Sequence, residues 1–429
     1  MPRPGLAMML SSSLAIAGTL TEPVGAAGLD PSLTERVLSW RRDFHEHPEL
    51  SNREFRTSGI VAEHLRELGL EVRTEVAHTG VVGVLRGALP GPVVGLRADM
   101  DALPVTEETG LPFASQVRTT YLGREVGVMH ACGHDAHTAI LMGVAEVLAD
   151  QRETLPGTVI FLFQPAEEGA PPGEKGGARL MIAEGALEDP RPEVIFGLHV
   201  FPQYAAGEIA VASGGAMASS DRLHIRVKGR QTHAAYPWLG VDPIAVASRI
   251  VLALQAIPAR QIDVRHPSVI SIGAIHGGVR HNIIPDEVEL LGTIRTLDPS
   301  EQEALHQRIR ETAQHIAESA GASAEVEIRI GYPVTWNDPE LARRMRPTLE
   351  RVAGPDAVVV GLPRTGAEDF SFLAREAPGL YLFLGVRPPA QEKSEAAPNH
   401  SPRFRVDESA LPLGVEALSQ LTLDYLRGD

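Results

Sequence analysis

The segment His130-Ala131-Cys132-Gly133-His134-Asp135-Ala136-His137 holds the single cysteine of the chain. Without a second cysteine it forms no intrachain disulfide, which leaves packing, nucleophilic attack or metal binding as its use. His134 lies two residues on, and thiolate and imidazole are both good transition-metal ligands. The apolar run Thr138 to Leu148 follows at helical spacing. It places the cluster on a loop entering a helix N-terminus, where the dipole favours a thiolate. Further ligand types come later: Glu167 and Glu168 in Gln164-Pro165-Ala166-Glu167-Glu168-Gly169, His199 after Gly197-Leu198, and His400. Cys132, His134, Glu168, His199 and His400 together can hold two divalent ions if one ligand bridges and a position stays open for water. Adjacent carboxylates repel, and a cation beside one relieves that cost. One glutamate then ligates while its neighbour takes a proton from water.

Each feature has an ordinary reading by itself. Glu-Glu is a common solvated turn, and isolated histidines default to core or surface. Asp101, in Arg97-Ala98-Asp99-Met100-Asp101-Ala102-Leu103-Pro104, reads either as an exposed acidic turn or as the group that fixes a ligating histidine's tautomer. His137 lies one helical turn beyond His134 and is either an alternative ligand or a support.

The elements that must position these residues alternate along the chain. Ser58–Leu68 reads as a helix stopped by Gly69, 93–98 as an apolar strand, and 136–149 as a helix. A strand at 158–163, a helix near 177–186 and a strand at 194–198 follow. Continuous apolar strands between helices predict an α/β domain with a largely parallel sheet covered on both faces. Chemistry gathers beyond the carboxyl ends of such strands. Asp99 and Asp101, Glu167 and Glu168, and His199 all fall there. Near Ser219 the pattern changes to alternating strands at 223–227, 269–273, 287–295 and 324–330, with helices at 243–257 and 300–320. That β-α-β-β-α-β order predicts a ferredoxin-like α+β insert over 219–332. It interrupts a larger domain built from 30–218 and 333–429. The loop 387–398 reads as an exposed connection leading to His400.

Composition sets the broad class. The chain has 429 residues, 43% hydrophobic and 22% charged, with a formal net charge of −16, ordinary values for a globular protein. The acidic balance argues against nucleic acid and anionic membrane surfaces as partners. It leaves small acidic substrates open, because a local basic pocket outweighs the global field. Arg3, the apolar stretches Leu6–Leu10 and Leu14–Ala17, and the small residues Val24-Gly25-Ala26-Ala27 read as a signal peptide over 1–27. Export to the periplasm or the medium is therefore expected, with a cytoplasmic location as the alternative.

On these motifs the chain resembles the aminoacylase/carboxypeptidase family of dinuclear metallohydrolases. The resemblance is to the amidohydrolase branch with hippurate hydrolases and auxin–amino acid conjugate hydrolases. It runs from about Leu38 to Tyr425 and also rests on Asn282-Ile283-Ile284-Pro285-Asp286, Ala367-Glu368-Asp369-Phe370 and Asn399-His400-Ser401-Pro402. It implies two divalent metals per subunit, zinc or manganese ahead of cobalt or nickel, with Cys132 bridging and His134, Glu168, His199 and His400 completing the set. It implies Glu167 as general base and then general acid, with Asp101 in support. The insert corresponds to the family's lid, which commonly dimerises. His233, in Gly229-Arg230-Gln231-Thr232-His233-Ala234-Ala235, corresponds to the lid histidine that reaches a substrate carbonyl, often in the partner's site. Asn282 and Arg295 fall at lid positions that bind substrate carbonyl and carboxylate. Trp238 and Arg280-His281 depart from the family pattern and bear on acyl preference. The resemblance implies cleavage of N-acyl or aryl-acyl amino acids, with a dipeptidase or carboxypeptidase activity as the alternative. A metal-binding scaffold and a thiol hydrolase using Cys132 are the readings from other classes.

Overall fold

The computed structural model describes residues 29–428. The expected signal segment at 1–27 lies outside the described residues. From its N-terminal side the first part runs through α1 (Pro31–Glu46), α2 (Phe55–Glu67), β1 (Glu71–Val76), β2 (Gly80–Arg86) and β3 (Leu89–Asp99). Next come α3 (His134–Ala149), β4 (Pro156–Gln164), β5 (Val194–Ala205) and β6 (Ile209–Val211). The insert follows as β7 (Ser220–Lys228), α4 (Pro243–Arg260), β8 (Ser268–Gly277), β9 (Glu287–Thr296), α5 (Pro299–Ser319) and β10 (Ser323–Tyr332). The first unit resumes with α6 (Pro339–Ala353), β11 (Val358–Val360), β12 (Gly379–Arg387) and α7 (Leu411–Arg427).

The large sheet has the order β1-β2-β4-β3-β5-β12-β6-β11. Its centre, β4-β3-β5-β12, is parallel, whereas β1 and β2 run antiparallel to their neighbours at one side. Central strands such as β12 are buried along nearly their whole length, as both faces are covered. On one face Val37, Leu65, Ile140, Met345 and Leu418, from α1, α2, α3, α6 and α7, pack into the main core. On the other, Ala178, Met181 and Phe370 cover a second apolar cluster. Gly143 lets three helices meet, since a Cβ there would lie 2.8 Å from Val37 and 3.1 Å from Val415. Asp30 caps α1 by accepting from the Ser32 amide, with Pro31 at the first helical position.

The insert is an antiparallel sheet of order β8-β9-β7-β10. Read in chain order this is 4-1-3-2, the ferredoxin-like arrangement. Leu223, Ile225 and Val227 of β7 face a core shared with Ile250 of α4 and Ile309 of α5. The intervening residues Arg222, His224 and Arg226 face the open side, following the period of two. The chain leaves and re-enters the larger unit through paired strands, Gly214–Met217 and Thr335–Asn337, in antiparallel register. Among the strands of the large sheet the sequence pattern missed β1, β2, β6, β11 and β12. The last of these is the most consequential, because β12 lies directly beside the strand that carries His199.

Candidate metal centre

The parallel strands deliver their ends to one place. β3 runs into Asp101, β4 into Glu167 and Glu168, and β5 carries His199, while the loop before α3 supplies Cys132 and His134. Gly133 makes that loop possible. Its φ is +96°, and a Cβ there would lie 2.3 Å from Val200, so only glycine lets Cys132 and His134 flank the turn. Two further non-glycine residues sit in the left-handed region, Ala166 (φ 54°) just before Glu167 and His400 (φ 69°). Such conformations cost energy and cluster where a site demands them.

Cys132 Sγ is 3.3 Å from His199 Nε2. His199 donates from Nδ1 to the Val200 carbonyl at 2.9 Å, which leaves Nε2 free to ligate. Glu168 and His400 approach to 3.0 Å. Potential ligand atoms of Cys132, His134 and His199 lie within 4.8 Å of one another, and so do those of Cys132, Glu168 and His400. The sulfur is therefore common to two groups of three, the arrangement a bridging thiolate requires. Glu167 also falls within that distance of His134 and Glu168, and of Glu368 and Asp369. The two glutamates differ in their surroundings. Glu168 faces His400, whereas Glu167 is buried against two other carboxyl groups.

The donor set fits cations. His134 Nε2 is buried without a hydrogen-bond partner among the described residues. Burial alone would lower the His134 pKa, but Asp99 and Asp101 overcome it and push it up to about 10. A cation at Nε2 supplies the positive charge those carboxylates call for. Burial, followed by Glu168 and Glu167, pushes the Cys132 thiol well above its ordinary value, and burial with Glu368 and Glu168 does the same to Glu167. Nearby divalent charge reverses that logic for a thiol. His199 is held neutral by burial and by His137, the form a ligand needs.

A buried scaffold holds these groups. Asp101 accepts from Ser51 Oγ at 2.7 Å, from the Glu167 amide at 3.0 Å and from the Glu168 amide at 3.1 Å, and it meets His134 Nδ1 at 3.2 Å. It is a positioning residue, not one facing the cavity. His137 is fully engaged, with Nδ1 on Asp99 at 2.6 Å and Nε2 accepting the Val200 amide at 2.9 Å, so it supports instead of ligating. Asn399 donates to the carbonyls of Cys132 and Val200 at 3.0 and 3.1 Å. It thereby ties the cysteine loop and the middle of β5 to the segment that carries His400. Arg97 is buried among Asp99, Glu368 and Asp369, at 2.7, 2.9 and 2.9 Å. These partners went unassigned in the sequence, although Arg97, Glu368, Asp369 and Asn399 all lie inside the motifs quoted above.

Cys132, Glu167, Glu168, His199 and His400 line a cavity of about 370 Å³, with Tyr332 of β10 in its wall. Tyr332 donates to the Glu167 carbonyl at 2.7 Å, which joins the insert to the strand end that carries Glu167. The other insert residues named from the sequence are elsewhere. His233 and Asn282 meet on a small ribbon in which Thr232–His233 pairs with Ile283–Ile284 and the Ala234 amide donates to the Asn282 carbonyl. Arg295 is half-buried on β9, 3.5 Å from the Ser219 carbonyl. None of the three lines the cavity. The ribbon stands on the insert, outside the wall of its own chain's cavity.

Fold and site define a metallohydrolase built on a mainly parallel α/β sheet with an inserted lid domain. Residues 95–424 match the model described as Peptidase family M20/M25/M40, and the chain belongs to that family. It is similar to thermostable carboxypeptidase 1 of Saccharolobus solfataricus, 42% identical over 391 residues, which span 91% of this chain and 95% of that protein. It is 36% identical over 398 residues to N-acetylcysteine deacetylase of Bacillus subtilis, spanning 92% and 98%. With an IAA-amino acid hydrolase of Arabidopsis thaliana it shares 35% over 401 residues, spanning 92% and 87%. A dinuclear metal-binding peptidase of the M20 family from Bacillus subtilis has a similar structure. The TM-score is 0.78 at 35% identity, over 93% of this chain and 99% of that one. The protein is a hydrolase of amide or peptide bonds.

Proposed function

We propose that the protein is an N-acyl amino acid amidohydrolase that uses two divalent cations, releasing a carboxylic acid and an amino acid. The observation that carries this reading is the thiolate position of Cys132, common to two ligand groups, beside the buried Glu167. Cys132, His134 and His199 would hold one cation, and Cys132, Glu168 and His400 the other. When bound, such cations lower the pKa of water towards 7 and polarise a carbonyl. Glu167 takes a proton from the attacking water as the new C–O bond forms. It then delivers that proton to the amide nitrogen as the C–N bond breaks. Asp101 holds the Glu167 and Glu168 amides and His134 in place throughout. Thiolate with imidazole favours zinc, with manganese next and cobalt or nickel behind.

The lid residues complete this reading. His233, Asn282 and Arg295 bind the substrate carbonyl and carboxylate, and since they stand outside the cavity of their own chain, we place them in the site of a partner subunit in a homodimer. We also propose that the mature chain begins near Ala27 and is exported. N-terminal sequencing of protein from its native host checks that, and a return of Met1 or Pro2 overturns it.

A peptidase reading has its own support in the likeness to the carboxypeptidase of Saccharolobus solfataricus. One experiment decides between them. Metal-stripped protein is reconstituted with single metals and assayed on hippurate, N-acetylcysteine, indoleacetyl amino acids and dipeptides. Faster turnover of the acyl conjugates sustains the amidohydrolase reading; turnover of dipeptides alone replaces it.

A further inference from the structure

Two clefts leave the cavity from the same residue, Glu168, and they differ in character. One, of about 420 Å³, is walled by Leu103, Pro104, Tyr121, Leu122 and Pro171, and the one cation in its lining, Arg53, is neutralised by Glu174 at 2.6 Å. The other, also about 420 Å³, runs along the insert's sheet past Ser220 and Tyr332 to Arg222 and Arg329. Glu168 and Tyr332 belong to the metal cavity as well, so the basic cleft opens directly from it.

Arg222 and Arg329 are directly opposite each other on β7 and β10. Like charges at opposed positions of an antiparallel pair disfavour the sheet, and nothing in the packing demands arginine there, because both side chains face the open side. Arg222 has neither an ion pair nor a side-chain hydrogen bond among the described residues. Arg329 meets Glu327 through Nε alone, at 2.5 Å, which leaves its terminal nitrogens to other partners. Two arginines at opposed positions, set there at a cost to the sheet and both lining a cleft that reaches Glu168, offer the fork geometry that binds carboxylate oxygens.

We propose that Arg222 and Arg329 form a carboxylate-recognising subsite for the amino-acid half of the substrate, separate from Arg295. It orients the substrate across Glu168, with the apolar acyl group in the cleft of Tyr121 and Leu122 and the anionic end in the basic cleft. The carboxylate is either that of an acidic side chain, with the α-carboxylate on Arg295, or the α-carboxylate itself, which then displaces Arg295 from that role. This inference rests on the amide-hydrolase reading above.

The test compares the metal-loaded protein with the double variant Arg222→Gln/Arg329→Gln. Its substrates are hippurate, N-benzoylglutamate, N-benzoylglutamine and the primary amide of hippurate. The variant is expected to raise KM for the recognised carboxylate by about tenfold, with kcat little changed and the primary amide unaffected. A loss confined to N-benzoylglutamate assigns the side-chain carboxylate; a loss shared by hippurate and N-benzoylglutamine assigns the α-carboxylate. The wild-type preference for the charged substrate should weaken as salt rises, because exposed charges are screened, and the variant should lose that salt dependence. A merely structural pair would not produce this salt signature, and removing like charges should leave thermal stability equal or higher. Unchanged KM values for every carboxylate overturn the subsite. If the wild type hydrolyses none of these conjugates, the functional reading fails instead. The subsite is then judged by the Kd of N-benzoylglutamate in calorimetry, which the double variant must weaken.

Discussion

Asp101 Oδ1 lies 3.2 Å from His134 Nδ1 and also accepts the Glu167 amide at 3.0 Å. One carboxyl oxygen thus aims His134, proposed above as a metal ligand, and seats Glu167, the proposed base. An asparagine at 101 keeps one acceptor and turns a donor towards groups that themselves donate. Asp101→Asn is therefore expected to weaken metal binding by roughly 10- to 100-fold, as loss of such supporting contacts does. Competition against a chelator measures this, and wild-type affinity would remove Asp101 from the support of His134.

Glu167 and Glu168 are adjacent in sequence but should separate on substitution. Glu167→Gln should fold and keep its metals yet lose about 10²- to 10⁴-fold in kcat, the usual contribution of a general base. Glu168→Gln should lower metal content, read by elemental analysis. Near-normal kcat in a folded Glu167→Gln protein would end its assignment as base.

The proposed division rests on a Glu-Glu pair that follows a strand in the sequence, and the candidate ligands were legible there as soft donors at strand ends. Local patterns carry that much, because a parallel sheet brings strand ends together. The supporting contacts were less visible. Arg97 touches Glu368 and Asp369 across 271 and 272 positions, and no local period encodes such a pairing. β12 was missed because its run Gly379–Arg387 follows the short helix Phe370–Leu373 without the long helix that marked the other crossovers.

Tyr332 donates to the Glu167 carbonyl at 2.7 Å, a direct contact of the insert with the proposed base. Tyr332→Phe deletes one hydrogen bond, worth about 0.5–1.5 kcal/mol. A fall in kcat of no more than about tenfold with unchanged metal content is expected. Loss of metal in this variant would show that the contact supports the ligands instead.

His130 is buried, neither ring nitrogen has a hydrogen-bond partner among the described residues, and burial pushes its pKa down to about 4 against the opposing field of Asp135. In the unfolded chain the value is about 6.5. Between these values the unfolded chain binds more protons, so stability falls as pH drops through this window. The full difference corresponds to roughly 3 kcal/mol. Denaturation of the metal-free protein at pH 7 and pH 4.5 measures it, since metal release then makes no contribution. His130→Gln should show a shallower acid loss, and an identical one would place the effect on other groups.

His233 stands on the ribbon of the insert, paired with Ile283, outside the cavity that holds Glu167. A lid donor adds to catalysis by stabilising the oxyanion that develops on the scissile carbonyl, and closure excludes water from the site. His233→Ala should therefore lower kcat by roughly 10²-fold while metal content and thermal stability stay near wild type. If the histidine serves a partner's site, mixing His233→Ala with Glu167→Gln protein should restore part of the activity. Each mixed dimer then contains one site with both an intact base and an intact lid histidine. Subunit exchange is followed separately with a labelled chain. Exchange without any rescue would exclude the arrangement in trans, leaving His233 either to close over its own chain's site or to hold the turn at Ala235, whose amide it accepts at 3.0 Å.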